Sequence, residues 1–477
     1  MTNIITPCVY PVTSHTDFVG KGSTFVAIPG KKLSGSAFIS VALDKGATKI
    51  VVQKDMALDE SLQALIKQHG ATLQIVDDAR KALAELSAEA LGYPDKKLKI
   101  IAVTGTKGKT STSYMIYHML LSLGKRVALS STIEKLIEKD LVKIPLTTPQ
   151  PDQLHIFFDL CVQRNIEYVV VEISAQALSL HRVAGLTFEA GIFTNFSLEH
   201  LEFYKNMTEY FEAKEKLISL VRRPENMFLN IDDPCVLELH KKYPLCSTFS
   251  QEDKSATLYG WSHFSDHGLQ LHVKCDEKTY MFQAPMLGKF NAYNLLSALG
   301  VLRSLGIDLQ DLMLSMMTLK KIPGRMEPYN LINGARCFID YAHNPSSFEA
   351  VLSTLRSMTP HLIAVFGAGG NRDKQKRPMM GAIAQKYCDD IILTSDNPRD
   401  EDPSVIIQEI ASGFSQQDSC NIYKELNRTT AIEFAYGLSK SKTIIAILGK
   451  GPDEYQIVGD LTFPFKERSI IKKYLQE

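Results

Sequence analysis

Apolar residues recur in short bursts along this chain, and three blocks differ in how the bursts are spaced. Up to residue 97 the bursts are brief, at 23–28, 49–52 and 72–76, and they are interleaved with helix-like stretches at 58–69 and 78–91. Short apolar runs bounded by polar turns read as strands and three-to-four periodicity reads as helix, so this block predicts a small α/β domain. From Lys99 the alternation is denser, with strands expected at 100–103, 126–129, 168–173, 191–194 and 227–230 and helical patterns between them. Such alternation predicts a parallel sheet with crossover helices. A third block starts near Pro323 and repeats the scheme, with strands expected at 337–340, 362–366, 390–394 and 443–448. The reading is an α/β protein of three domains, at 1–97, 98–322 and 323–477. The strands of the last block run into polar or glycine-rich turns, and open parallel sheets bind ligands at the carboxyl ends of their strands.

Length supports this division, because 477 residues exceed what one ordinary core organises. Lysine plus arginine equals aspartate plus glutamate at 53 each, which removes any global electrostatic case for nucleic acid or an anionic membrane as partner. The eight cysteines form no CxxC pair, so reduced, mostly buried thiols are expected in place of a zinc site or a disulfide framework. The first residues lack a basic segment followed by a long apolar one, and no later run has the length of a bilayer span. A cytoplasmic monomer acting on small molecules, without membrane insertion, is the expectation.

The sharpest local signal is Gly105-Thr106-Lys107-Gly108-Lys109-Thr110, which follows the strand at 99–103 and precedes an amphipathic run at 112–123. It is tighter than the common P-loop, since only two residues separate its glycines. Glycines let backbone amides turn inward on phosphate oxygens, Lys109 supplies a point charge to the β/γ-phosphates, and Thr110 can hold magnesium. Taken alone the motif leaves switches, transporters and kinases open.

Further stretches narrow the choice: TTP (147–149), EISAQAL (172–178), TNFSLEHLEFY (194–204), FEAKEKL (211–217), GKFNAYN (288–294), PGRME (323–327), DYAHNP (340–345), FGAGGNRDKQKRPMM (366–380), SDNPRDEDP (395–403) and GKGPDEYQ (449–456). Together with TGTKGKTST (104–112), and in this order, they resemble the Mur ligase family. The resemblance is closest to members that add the third residue to UDP-N-acetylmuramoyl-L-alanyl-D-glutamate, and it covers nearly the whole chain. It implies a UDP-binding N-terminal domain, a central P-loop domain and a Rossmann-like, amino-acid-binding C-terminal domain. The implied reaction is an ADP-forming ligation through an acyl phosphate, within peptidoglycan precursor synthesis.

Site residues follow from the same resemblance. ATP is implied at Gly105, Thr106, Lys107, Gly108, Lys109, Thr110 and Ser111, at Asn291 and Asn294 near adenine, and at Arg325, Asp340 and His343 from the third domain. Magnesium is implied at Thr110, Glu172 and His200, together with Lys214 as an N6-carboxylysine. Lys214 lies in a helix-like stretch, with Asn206 and Glu209 placed as a capping box, and by itself would read as a surface lysine. Its carbamate requires an unprotonated amine and so a lowered pKa. The UDP-muramoyl peptide is implied at Ser14, Thr147, Thr148, Ser174 and Arg182. The incoming amino acid is implied at Arg377, Asp396, Asn397, Arg399, Gly449 and Asp453. An arginine at 399 favours meso-diaminopimelate, because a guanidinium can pair bidentately with its distal carboxylate. Pro452 and Asp453 stand where that type usually has His and Glu, which keeps L-lysine or another diamino acid open. At the acceptor end Thr13-Ser14-His15 replaces the usual Asp-Ser-Arg, Leu180 takes a glutamine position, and Gln176 a histidine one. A related ligase with another acceptor, of folylpolyglutamate or cyanophycin type, and a non-catalytic P-loop protein are the competing readings. Intact Lys109, Glu172, His200 and Lys214 argue against the last.

Overall fold

The computed structural model describes every residue except 1, 31–32, 57, 200–202, 266–267, 276, 318, 416–419 and 477. Two compact units result, the first holding Met1–Trp261, His272–Phe282 and Tyr293–Thr318, and the second Ser262–Leu271, Gln283–Ala292 and Leu319–Glu477. No helix among the described residues is long and apolar enough to cross a membrane.

The first unit opens with a small parallel sheet ordered Val12–Thr13, Thr24–Ala27, Lys49–Gln53 and Thr72–Val76. Successive residues of a strand point to opposite faces, so Phe25 and Ile50 pack with Ile39, Leu43 and Ile66, while Val26 and Val51 pack with Ala79 and Leu83. Helices Glu60–Gln68 and Ala79–Ala90 begin where Asp59 accepts from the Leu62 amide at 2.7 Å and Asp78 from the Arg80 amide at 2.9 Å. Each carboxylate satisfies an otherwise orphaned helix N–H.

Six parallel strands follow in spatial order Val127–Ser130, Tyr168–Glu172, Lys99–Thr104, Ala190–Phe193, Met227–Asn230 and Ser247–Ser250. Their sequences are continuously apolar because both faces are covered; Ile100, Ile101, Ala102 and Val103 are all buried. The chain moves first to one side of Lys99–Thr104 and later to the other, so a topological switch point lies at the carboxyl end of that strand. Beyond Val127–Ser130 the sheet turns antiparallel through the hairpin Lys135–Ile137 and Asp140–Val142 and then takes in Asn3–Ile4. None of these three edge strands was expected from the sequence pattern, nor were Leu258–Ser265, Gly268–Cys275 and Lys278–Ala284. The first three are two or three residues long, the last three mix apolar and polar residues without a continuous apolar run, and their pairing partners are what make them strands.

The second unit carries its own sheet, ordered Glu327–Asn330, Arg336–Asp340, Thr443–Leu448, His361–Phe366, Asp390–Leu393 and Asn421–Lys424, parallel except for the first strand. All four strands expected here are present. A fully buried Arg428 bonds Glu467 Oε1 through Nε at 2.7 Å and the Leu448 carbonyl through Nη2 at 2.8 Å. It thereby fixes the carboxyl end of a central strand from beneath.

Candidate active site

At the switch point the strand Lys99–Thr104 runs into Gly105 and, through Gly108, into the helix Lys109–Ser122. The helix begins three residues earlier than the hydrophobic pattern suggests, inside the glycine turn. Two close approaches require the glycines. A Cβ on Gly105 (φ 137°) would lie 1.9 Å from Thr194 Oγ1, and one on Gly108 (φ 83°) 2.2 Å from Asn294 Oδ1. Backbone amides are therefore displayed without side chains in front of them, at the positive end of a helix. The loop is braced by Asn195, whose side-chain oxygen accepts from the Lys107 amide at 2.9 Å, and by Thr194, whose hydroxyl donates to the Lys107 carbonyl at 2.6 Å. Lys107 itself pairs with Glu199 at 2.7 Å. Lys109 Nζ lies over the loop, donating to the carbonyls of Gly105 and Thr106, each at 2.9 Å.

Lys214 reaches the same loop from the helix Met207–Glu215. That helix starts at Asn206, whose Oδ1 accepts from the Glu209 amide at 2.9 Å, while Glu209 reaches back to the Lys205 amide, one residue short of a closed capping box. Lys214 is buried at 1 % exposure, so the surface-lysine reading is overturned. Its Nζ donates to the Gly105 carbonyl at 2.7 Å, the oxygen that Lys109 also uses. Burial, and then the charges of Lys109 and Lys107, hold the Lys214 ammonium well below the usual lysine range, with Glu199 opposing. The amine is thus disposed to be neutral, hence nucleophilic.

Glu172, the last residue of Tyr168–Glu172, is fully buried. Thr110 Oγ1 donates to its Oε2 at 3.1 Å; the Thr132 amide and hydroxyl donate to Oε1 and Oε2 at 3.0 and 2.9 Å. This carboxylate and its hydroxyls form a hard-oxygen set suited to magnesium, which takes few protein ligands and completes its shell with water and phosphate. Among the described residues no group of three His, Cys, Asp or Glu could hold a metal by itself, and His200 lies outside the described residues. Of the residues expected at the acceptor end, Thr147, Thr148, Ser174 and Arg182 gather next to Glu172. Thr148 donates to the Glu172 carbonyl at 2.7 Å, the Ser174 amide to Thr148 Oγ1 at 3.0 Å, and Arg182 Nη1 to the Thr148 carbonyl at 3.0 Å. Thr147 Oγ1 lies 3.1 Å from Thr132 Oγ1, whose own proton goes to Glu172, so Thr147 donates in this pair. The Ser14 amide is anchored on Asp152 Oδ2 at 3.2 Å, with buried Thr13 donating to the same oxygen at 2.8 Å.

In the second unit the turns after three adjacent strands converge. Asn397 Oδ1 accepts from Lys450 Nζ at 3.0 Å and from the Ile457 amide at 2.9 Å, and Lys450 lies 3.5 Å from Asp396. Arg399, with a left-handed backbone (φ 51°), donates to the Gly370 carbonyl at 2.7 Å. Burial, and then the neighbouring charge of Arg372, lower its pKa. Asp453 is pushed up to about 6, by burial first and by Asp396 against the pull of Lys450. A Cβ on Gly449 (φ 111°) would lie 2.6 Å from Asp396 Oδ2. Asp340 spends its carboxylate on the Met326 and Ala342 amides, both at 2.7 Å, while Arg325 stacks on the Tyr341 ring and His343 Nδ1 lies 2.7 Å from the Tyr341 carbonyl.

Family models match the chain in three consecutive pieces: "Mur ligase family, catalytic domain" at residues 9–90, "Mur ligase middle domain" at 103–302 and "Mur ligase, glutamate ligase domain" at 324–451. The chain belongs to the Mur ligase family. A curated relative from Caldanaerobacter subterraneus is 36% identical over 466 residues, covering 95% of this chain and 92% of its own length. Another from Aquifex aeolicus is 36% identical, covering 97% and 93%. Both are named UDP-N-acetylmuramoyl-L-alanyl-D-glutamate--2,6-diaminopimelate ligase. A solved structure with that name superposes with a TM-score of 0.68 at 28% identity over 98% of this chain and 94% of its own. A MurF ligase from Thermotoga maritima in complex with ADP shares the fold at a TM-score of 0.65 and 18% identity, covering 93% and 95%.

Within this Mur ligase, the expected residues gather as two groups, one in each unit. Lys109, Thr110, Glu172, Lys214 and Asn294 surround the glycine loop, whereas Asn291 Nδ2 donates to the Leu287 carbonyl at 2.8 Å at the start of its own helix. Asp396, Asn397, Arg399, Gly449 and Asp453 meet in the second unit. Arg377 does not join them, and its expected contact with the amino acid is corrected. Its side chain is fully buried, bonded to Glu401 at 2.8 and 3.0 Å, to Glu409, and to the Gly369 carbonyl at 3.1 Å. A guanidinium so committed braces the loop from within. Exposed Arg372, also within residues 366–380, is the arginine whose charge reaches Arg399. Lys450, Asn195 and Thr132 were also missed; Lys450 stood inside GKGPDEYQ and Asn195 inside TNFSLEHLEFY, whereas Thr132 carried no sequence signal.

Proposed function

We propose that this Mur ligase joins meso-diaminopimelate to UDP-N-acetylmuramoyl-L-alanyl-D-glutamate, converting ATP to ADP and phosphate. The observation that carries the reading is the convergence of Lys109, Lys214 and the Thr110–Glu172 pair on one glycine loop. The names of relatives covering nearly the whole chain supply the substrates. ATP is held by the 105–111 loop with Lys109 on its terminal phosphates, and Asn294, which lies beside Gly108, would contact the adenine. Magnesium, where bound by Thr110 and Glu172, supplies charge neutralisation to the phosphates.

In the first step an oxygen of the D-glutamyl γ-carboxylate attacks the γ-phosphorus and the bond to ADP breaks, giving an acyl phosphate. In the second the free amine of the amino acid attacks that carbonyl carbon, phosphate leaves, and the amine's proton goes to solvent. Catalysis here is mostly positioning and charge compensation. Lys214 is proposed to carry a carbamate, since its buried, deprotonated amine is the form that takes up carbon dioxide and the product anion would lie beside Lys109. Arg399 with Arg372 would receive the distal carboxylate, and Asp453 its ammonium. The domains are proposed to divide at 97/98 and 322/323, each containing one matched family model. The protein is expected to act as a cytoplasmic monomer. Lys109→Ala should abolish ADP formation with the acceptor present; turnover within about tenfold of wild type would remove the assigned phosphate role.

A further inference from the structure

Two strands in from one edge of the central sheet, Lys135 opens the strand Lys135–Ile137 and points inward, with only 2 % of its surface exposed. Its Nζ donates to the Ser131 carbonyl at 2.6 Å and to the Leu146 carbonyl at 2.5 Å. Those two oxygens belong to the turns on either side of the hairpin. Leu146 holds a left-handed backbone (φ 67°), which an L side chain adopts at a cost, and its own side chain is exposed, so no packing offsets that cost. Thr147 and Thr148 come next. On the other turn, Thr132 grips both oxygens of Glu172 and bonds Thr147. Lys135 therefore underlies every contact that the two turns make with Glu172.

An apolar side chain of similar length would fill this space without desolvating a charge. Burial pushes the ammonium down to about 8, with Glu172 opposing, so the lysine is retained at an electrostatic cost. We infer that Lys135 is a positioning residue: by clamping the Ser131 and Leu146 carbonyls from beneath, it fixes the Thr132–Thr147 rim over Glu172 and so aims the acceptor carboxylate. The inference rests on the proposed ligase reading for its substrate, though the clamp itself does not.

Two readouts on the full chain test it. Amide hydrogen exchange over residues 131–148 should quicken by about tenfold or more in Lys135→Met, with the rest of the chain unchanged, and return towards wild type in Lys135→Arg. In steady state, Lys135→Met should raise KM for UDP-muramoyl dipeptide by about tenfold while leaving KM for ATP within about twofold, and Lys135→Arg should rescue it. Unchanged exchange in that segment, or equal movement of both KM values, would overturn the proposal. If wild-type protein does not consume the UDP-muramoyl dipeptide, the substrate reading fails and exchange alone decides on the clamp. Should Lys135→Met not fold, Lys135→Gln, whose amide reaches one carbonyl, carries both readouts with the same deciding results.

Discussion

Lys214 shows how far a residue's chemistry is set by what surrounds it. An amine buried beside two other lysines has little to gain from a proton, and the neutral form is the one that can be carboxylated. Activity in buffer stripped of carbon dioxide is therefore expected to fall and to return on adding bicarbonate, and the intact mass of the active protein should include one carboxyl group on Lys214. No bicarbonate response and an unmodified lysine in fully active protein would remove the carbamate. Asp453 carries a pH prediction. Its folded pKa, about 6, stands above the ordinary 3.8, so its stabilising contribution is present below about pH 4 and is lost as pH rises through 6. Asp453→Asn should then raise the melting temperature at pH 8 and leave it unchanged near pH 4, while weakening amino-acid binding at pH 8. Equal melting temperatures at pH 8 would contradict the burial. The sequence named both residues through resemblance alone, because burial is not written in a local pattern. Arg377 fails for the same reason: Arg372 and Arg377 stand in one polar stretch, and only the fold turns one outward and the other onto Glu401 and Glu409.

Among the elements, the turn from Lys99–Thr104 into Lys109–Ser122 was the most legible, since a glycine pair between an apolar strand and a helix has few other uses. What could not be read was why both glycines are needed: Thr194 and Asn294, far along the chain, occupy the space a Cβ would take. Gly108→Ala adds left-handed strain of about 1–2 kcal/mol and displaces the Asn294 amide. ATP affinity measured by calorimetry should drop by about tenfold or more, with little change in amino-acid affinity. Equal loss of both affinities would point to general unfolding. The Lys135–Ile137 hairpin illustrates the reverse case. Three-residue strands carry too little periodicity to be recognised, yet this one places the lysine on which the Glu172 rim depends.

For the whole molecule, the three spacing regimes of the hydrophobic pattern correspond to three separate sheets, because parallel strands buried on both faces are continuously apolar and announce themselves. The antiparallel edges, whose strands are very short or mix apolar with polar residues, did not. Each of the two larger parallel sheets directs glycine-rich turns from its carboxyl ends, the first around Gly105 and the second around Asn397 and Gly449, and the proposed reaction gives each unit one binding role. In that proposal the first activates the acyl group and the second delivers the amine. The most direct measurement is phosphate release from ATP by the purified protein, with UDP-N-acetylmuramoyl-L-alanyl-D-glutamate and single amino acids supplied in turn. Release should require the acceptor, be fastest with meso-diaminopimelate, and match the tripeptide product mole for mole. Release that ignores the acceptor, or product formed only with a different amino acid, would contradict the account.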